Sequence, residues 1–187
     1  MNVERLALPD VILVTPIKRG DARGTFHEAW HEQRYRAAGL PATWKQDNVS
    51  RSHHGVLRGL HLQHPRPQGK LVSVLAGEVV DVAVDVRRGS PTFGRWVSAV
   101  LNQENARQLF VPEGFAHGFV VTSAEAVVLY KCTDVYVPEC ERTIAWNDPA
   151  IGIDWEVEAP ILSERDAQAR RLGDFGEEEL PRLSGTV

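Results

Sequence analysis

The sequence predicts an all-β domain, a sandwich or closed barrel with a short helix toward each end. From Leu71 onward, short apolar stretches rich in β-branched residues follow one another. Turn residues separate them, and none has the length of the crossover helix that a parallel sheet requires.

The predicted strands are residues 71–76, 79–86, 96–101, 108–111, 118–122 and 126–132, punctuated by Ala76-Gly77-Glu78, Arg88-Gly89-Ser90-Pro91 and Pro112-Glu113-Gly114. Two helices flank this middle. One covers residues 32–38 and is ended by Gly39 and Pro41. The other covers 164–172, with Ser163 as its N-cap and Asp166 at the third helical position. Residues 1–172 are expected to form one domain. The tail 173–187, with Glu177, Glu178, Glu179, Pro181 and Gly185, offers little to bury and should stay solvated. No repeat of fixed period is present.

Composition limits the function. A chain of 187 residues with 43% hydrophobic and 25% charged residues is ordinary globular material for one domain, which excludes general disorder. Lys and Arg number 21 against 25 Asp and Glu, so the net charge is −4 and no basic stripe exists for nucleic acid. No apolar run approaches the ~18 residues of a membrane span, and residues 1–10 lack a basic segment followed by an apolar core. A soluble, unexported, cytoplasmic protein is expected. Cys132 and Cys140 fit neither a disulfide framework nor a CxxC pair, and are expected as reduced thiols.

Histidine exchanges a proton near neutrality, so the seven histidines are the first candidates for chemistry. His61 and His64 follow Arg58-Gly59-Leu60. His117 ends Pro112-Glu113-Gly114-Phe115-Ala116-His117, a PxGxxH string that resembles the second motif of cupins. The fold expectation therefore sharpens to a cupin, a double-stranded β-helix or jelly-roll barrel. Metal-binding cupins carry an HxH pair and a nearby Glu, because a divalent ion needs about three converging protein ligands. This chain has His61-Leu62-Gln63 followed by Gln68-Gly69-Lys70, and a cation at Lys70 repels a metal. A barrel without metal or other cofactor is the expectation.

What remains is an imidazole, an ammonium and a phenol: His61, Lys70 and Tyr130. Moving a proton at a carbon beside a ketone needs a base of near-neutral pKa, a positive group for the enolate oxygen and an acid to return the proton. These three residues can fill those posts. The base also needs a carboxylate to fix its tautomer, and spacing alone does not name one.

Longer strings then point to a family. Asp21-Ala22-Arg23-Gly24-Thr25-Phe26-His27-Glu28, Gln46-Asp47-Asn48-Val49-Ser50, Val56-Leu57-Arg58-Gly59-Leu60-His61-Leu62-Gln63, Gln68-Gly69-Lys70-Leu71-Val72, Tyr130-Lys131, Pro138-Glu139-Cys140-Glu141, Trp146-Asn147-Asp148 and Leu162-Ser163-Glu164-Arg165-Asp166 resemble the dTDP-4-dehydrorhamnose 3,5-epimerase family, in family order over residues 3–170.

The resemblance implies a cofactor-independent homodimeric cupin. Its substrate would be dTDP-4-dehydro-6-deoxy-D-glucose or a close dTDP-keto-sugar, inverted at C3 and C5. It implies that His61 is the base, Asp166 its carboxylate partner, Tyr130 the acid on the opposite ring face and Lys70 the enolate's support. Arg23, Glu28, Gln46, Asp47, Asn48, Arg58, His117 and Glu141 would line the nucleotide-sugar pocket. Arg23 and Arg58 suit diphosphate oxygens, and Phe26 and Tyr136 suit ring contacts.

Asp166 also satisfies a plain structural role as a carboxylate at a helix N-terminus. Tyr130 and Tyr136, an even number of residues apart, would share one face of a strand, so which is nearer the sugar stays open; Tyr130 is taken as the acid. His53, His54 and His64 receive no role. Three positions depart from the family pattern. Leu62 stands where many members have Tyr, removing a polar handle near His61. Arg165 stands where many have Lys, keeping a positive charge near sugar or phosphate. His53-His54 enlarges a loop that is usually Ser-rich. Relatives that invert one centre, metal-dependent cupins and non-catalytic sugar-binding cupins remain the competing readings.

Overall fold

The computed structural model describes residues 1–183. In chain order the strands are β1 (Asn2–Arg5), β2 (Ile12–Thr15), β3 (Lys18–Asp21) and β4 (Gly24–His27). Helix α1 (Glu32–Ala37) precedes β5 (Gln46–His53), β6 (Leu57–Gln63), β7 (Lys70–Ala76), β8 (Glu78–Asp85), β9 (Trp96–Asn102), β10 (Gln108–Val111), β11 (Phe115–Val121) and β12 (Glu125–Cys132). The chain then forms β13 (Glu141–Thr143) and α2 (Glu164–Ala167).

Two antiparallel sheets face each other, one ordered β1-β2-β10-β7-β12-β5 and the other β13-β6-β11-β8-β9; β3 and β4 form a separate hairpin. This is the jelly-roll barrel of the cupin type that the sequence predicts. Period-two alternation builds it. In β8, Val79 and Ala83 turn inward to a core shared with Val72, Leu109, Phe119 and Val128, while Val82 and Val84 turn outward. The outward face is covered by Ile144, Ile151, Trp155, Leu172, Phe175 and Leu180 from the C-terminal third. Behind the other sheet, Tyr35 of α1 and Leu40 pack on Ile12, Val14, Leu71 and Phe110.

The six predicted strands are β7 to β12, with ends displaced by up to three residues. The pattern did not announce β5, whose Gln-Asp-Asn-Val-Ser-Arg-Ser-His is polar on both faces, nor β6, which Gly59 interrupts. Gly59 has φ of 137°, and a Cβ there would stand 2.5 Å from the Cα of Gly118. The β6–β11 register shifts at this point, from His61↔His117 to Arg58↔Phe119. The bulge lets Arg58 and His61, three residues apart, both turn into the barrel while Leu57, Leu60 and Leu62 turn outward.

Two expectations need correction. The second helix stops at Ala167 instead of Leu172, because Arg170 pairs with Ile144 and its carbonyl accepts from the Ala145 N–H. The tail is not wholly solvated. Phe175 and Leu180 are buried, each contributing about 1.5 to 3 kcal/mol of apolar burial. Arg88 also donates from its backbone to Pro181 and from its guanidinium to the Phe175 carbonyl. Residues 184–187 of the predicted tail lie outside the described residues.

Candidate active site

The barrel opens at one end into a cavity of about 390 Å³ lined by polar side chains from both sheets. From the six-stranded sheet come Gln46, Asn48 and Ser50 of β5, Lys70 of β7 and Tyr130 of β12. From the five-stranded sheet come Arg58 and His61 of β6, His117 and Phe119 of β11 and Glu141 of β13; Tyr136 and Arg165 stand at the rim.

His61 sits on the five-stranded wall with its side chain 28% exposed, and its Nε2–H donates to Asp166 Oδ1 at 2.6 Å. With Nε2 engaged, Nδ1 is the basic nitrogen. The Asp166 carboxylate is buried, yet hydrogen bonds from the His61 and Ser163 side of the site outweigh burial and hold it below the ordinary aspartate range. Ser163 caps α2 as predicted, its Oγ accepting from the Asp166 N–H at 3.1 Å.

The facing wall carries the other two groups. Burial, reinforced by nearby Cys132, pushes the Tyr130 phenol above its usual pKa of 10.0, with Arg58 opposing. It is therefore a protonated donor at neutral pH. Lys70 reaches from this wall toward the opposite one, its Nζ donating to the His61 carbonyl at 3.3 Å. Burial lowers the Lys70 pKa from 10.5, while Cys132 and Asp81 act in the other direction.

A second imidazole and carboxylate lie deeper. His117 Nε2–H donates to Asp81 Oδ1 at 2.8 Å, with side-chain exposures of 7% and 0%. Burial drives the His117 pKa down against the pull of Asp81. Asp81 was not singled out from sequence, although a signal was there. It occupies an inward position of β8 between Val79 and Ala83, and a charge at such a position needs a reason.

Of the predicted residues, Gln46, Asn48, Arg58, His61, Lys70, His117, Tyr130, Tyr136, Glu141 and Arg165 line one cavity, with Asp166 behind His61. Gln46 bridges the cluster to the rim: its Nε2 donates to Asn48 Oδ1 at 2.8 Å and its Oε1 accepts from the Tyr136 N–H at 2.7 Å. Tyr136 lies beyond the end of β12 and not on its face, and its hydroxyl donates to Glu141 Oε2 at 2.7 Å. Glu141 also takes an ion pair from Arg165.

Four predicted residues are elsewhere in this chain. Asp47, between Gln46 and Asn48 on β5, faces the other way and pairs with Lys131 at 2.8 Å. Arg23 and Phe26 belong to the β3–β4 hairpin, outside the barrel. Arg23 pairs with Asp21, and Phe26 is 75% exposed. Glu28 pairs with Arg34 beside a separate cleft. Leu62 packs in the outer core with Val82 and Trp155 and also borders the cavity next to His61, where it offers no polar group. Ser50, Gln63, Gln68 and Phe119 also line the cavity and were not foreseen. Cys132 and Cys140 are both free and buried.

A family model described as dTDP-4-dehydrorhamnose 3,5-epimerase matches residues 5–174. The chain belongs to this epimerase family. A family member from Pseudomonas aeruginosa, dTDP-4-dehydrorhamnose 3,5-epimerase, is 55% identical over 93% of this chain and 97% of its own. The crystal structure of a dTDP-6-deoxy-D-glucose-3,5-epimerase from Legionella pneumophila, in complex with dTDP-4-keto-L-rhamnose, is similar with TM-score 0.95 and 49% identity, covering 98% of this chain and 99% of that one. A 3'-monoepimerase from Streptomyces bikiniensis, solved with dTDP-quinovose, has TM-score 0.88 and 33% identity over 96% and 92%.

Proposed function

We propose that the chain is a dTDP-4-dehydrorhamnose 3,5-epimerase, converting dTDP-4-dehydro-6-deoxy-D-glucose to dTDP-4-dehydro-L-rhamnose with its own side chains as the acid and base. The observation that carries this reading is the opposition of His61 and Tyr130 on facing sheets of one cavity, with the Lys70 ammonium reaching between the walls. Inversion at carbon needs removal of a proton from one face and delivery to the other, and a single group serving both would restore the starting centre.

In each half-reaction His61 Nδ1 takes the proton from C3 or C5. The C–H electron pair moves into the ring as the C4 carbonyl becomes an enolate, and its oxygen is held by Lys70. Asp166 stabilises the imidazolium through the 2.6 Å bond. Tyr130 then protonates the carbon from the opposite face as the carbonyl reforms, and exchange with solvent water takes the proton from the imidazolium and returns one to the phenolate before the next centre reacts. Arg58, fixed by its Nε–H donating to Ser52 Oγ at 3.0 Å, presents a forked donor suited to a diphosphate oxygen.

The two imidazoles are each engaged by a carboxylate and share the cavity with an ammonium, a donor set unsuited to a divalent cation. Among the described residues no helix is long and apolar enough to cross a membrane; we assign the protein to the cytoplasm as an enzyme of a nucleotide sugar. We also assign the protein as a homodimer. The exposed apolar side chains of Ile17, Phe26, Val49 and Leu75 support this, and the second copy would bring Arg23, Phe26 and Glu28 to a cavity they do not reach in their own chain.

Similarity to a 3'-monoepimerase favours inversion at C3 alone as the second reading. Proton NMR of the keto-sugar in deuterated water separates the two. Deuterium at both C3 and C5 is expected; label at C3 only supports the monoepimerase, and no exchange overturns both.

A further inference from the structure

The Trp146-Asn147-Asp148 string has no part in the chemistry above, yet it contains one of the few buried carboxylates of the molecule. Asp148 is 3% exposed, and both its oxygens are used. Oδ1 accepts from the Ala150 N–H at 2.9 Å and Oδ2 from the Leu172 N–H at 2.6 Å. The first bond closes the turn after β13. The second reaches across 24 residues to the segment that carries Asp166.

Its helix has little to hold it by itself. Helix α2 spans only Glu164–Ala167, a single turn, far below the length at which a helix is stable alone. Its position must be set by its flanks. Upstream, the Ile161 carbonyl accepts from Leu57 at 3.0 Å and the Ile161 N–H donates to Gly55 at 2.8 Å. Downstream, the Arg170 carbonyl accepts from Ala145 at 2.8 Å, and the Leu172 N–H enters the Asp148 carboxylate. The Asp148 N–H also donates to the Ala145 carbonyl at 3.2 Å, so both downstream attachments converge on residues 145–148.

We propose that Asp148 is a positioning residue for the base, acting through the segment 163–172 to keep Asp166 on His61. A hydrogen bond to an ionised acceptor is worth more than one between neutral groups, and this one is short and sheltered from water. Losing it loosens the downstream flank of a one-turn helix, leaving only the Ala145–Arg170 bond and the buried Leu172 side chain to hold it further along. A displacement of about 1 Å at a reacting group costs on the order of a hundredfold in rate.

The proposal rests on the epimerase reading, and the test keeps the two separable. In Asp148→Ala, assayed well below its melting temperature, kcat should fall between about tenfold and a hundredfold while KM stays within about twofold. Asp148→Asn, which keeps one acceptor oxygen, should lie between it and wild type, and carries the test if the alanine variant does not fold. Each substitution should add nothing to Asp166→Asn, because both act on one contact. The downfield imidazole N–H resonance of His61, identified by its loss in Asp166→Asn, should weaken in Asp148→Asn. Additive losses in the double variant, or an unchanged resonance with wild-type kcat, would overturn the positioning role. Wild type that exchanges no ring proton would sink the epimerase reading alone, and the resonance would still decide the role of Asp148.

Discussion

The barrel holds two imidazole–carboxylate pairs of the same composition, His61 with Asp166 and His117 with Asp81, and their surroundings make them different groups. His61 is 28% exposed at the cavity wall and its partner comes from a segment outside the sheets; His117 is 7% exposed and its partner is on the neighbouring strand. Proton exchange requires a base that can gain charge and meet a substrate, which only the first pair allows. Burial works against a charged His117, whose single N–H is spent on Asp81, so the second pair suits a fixed neutral imidazole in the cavity wall and an anchor for Lys70.

Removing each imidazole should separate these roles. His61→Ala should lower kcat by roughly 10³- to 10⁴-fold and abolish deuterium incorporation at carbon, with a smaller loss of stability than His117→Ala because cavity water can take the place of the imidazole beside Asp166. His117→Ala should instead cost about 1 to 3 kcal/mol of stability in denaturant titration, because it leaves a fully buried carboxylate short of a donor. Equal rate losses without a stability difference would show the two pairs to be equivalent.

A smaller effect tests the facing wall. Tyr130→Phe should lower product formation by about 10²- to 10³-fold but leave measurable exchange of the substrate proton with solvent, since His61 can still remove it and return it to the same face. If exchange and turnover fall together, Tyr130 is not the acid.

The pH profile sharpens the comparison further. Burial moves Lys70 down from 10.5 and Tyr130 up from 10.0, so both shifts act to make the ammonium, and not the phenol, the group that sets the alkaline limit. The alkaline limb of kcat should therefore move upward in Lys70→Arg and stay in place in Tyr130→Phe. The same shift has a consequence for stability. Between the folded pKa of Lys70 and 10.5 the unfolded chain binds the extra proton, so this group's contribution to stability rises with pH in that window.

The smallest expected effect concerns the hairpin. Arg23→Ala should raise KM about tenfold with kcat little changed, as loss of one contact to a diphosphate predicts, measured by initial rates. An unchanged KM would remove Arg23 from the site.

How far the site could be read in advance depended on the kind of signal. His61, Lys70 and Tyr130 followed from the chemistry of their side chains and a missing metal set, and they do share a cavity. Asp166 came only from family resemblance, since its bond to His61 spans 105 residues. Asp47 was carried along with its neighbours, although alternation along β5 sends it to the opposite face. Asp81 could have been found by that same alternation. Strands β7 to β12 were legible because their apolar period is clear. The polar β5 and the bulged β6 were not, and these two supply much of the active wall.

The sequence by itself determined the strand-and-turn character of the chain, its net negative charge and the set of titratable groups, because these depend on side-chain identity and short-range period. Tertiary structure alone decided which groups face each other across the barrel, that residues 170–183 fold back on the outer sheet, and that the hairpin's Arg23 and Phe26 stand apart. Local period fixes which face of a strand a side chain occupies. It does not fix which distant strand that face will meet, since that is settled by packing among residues far apart in the chain.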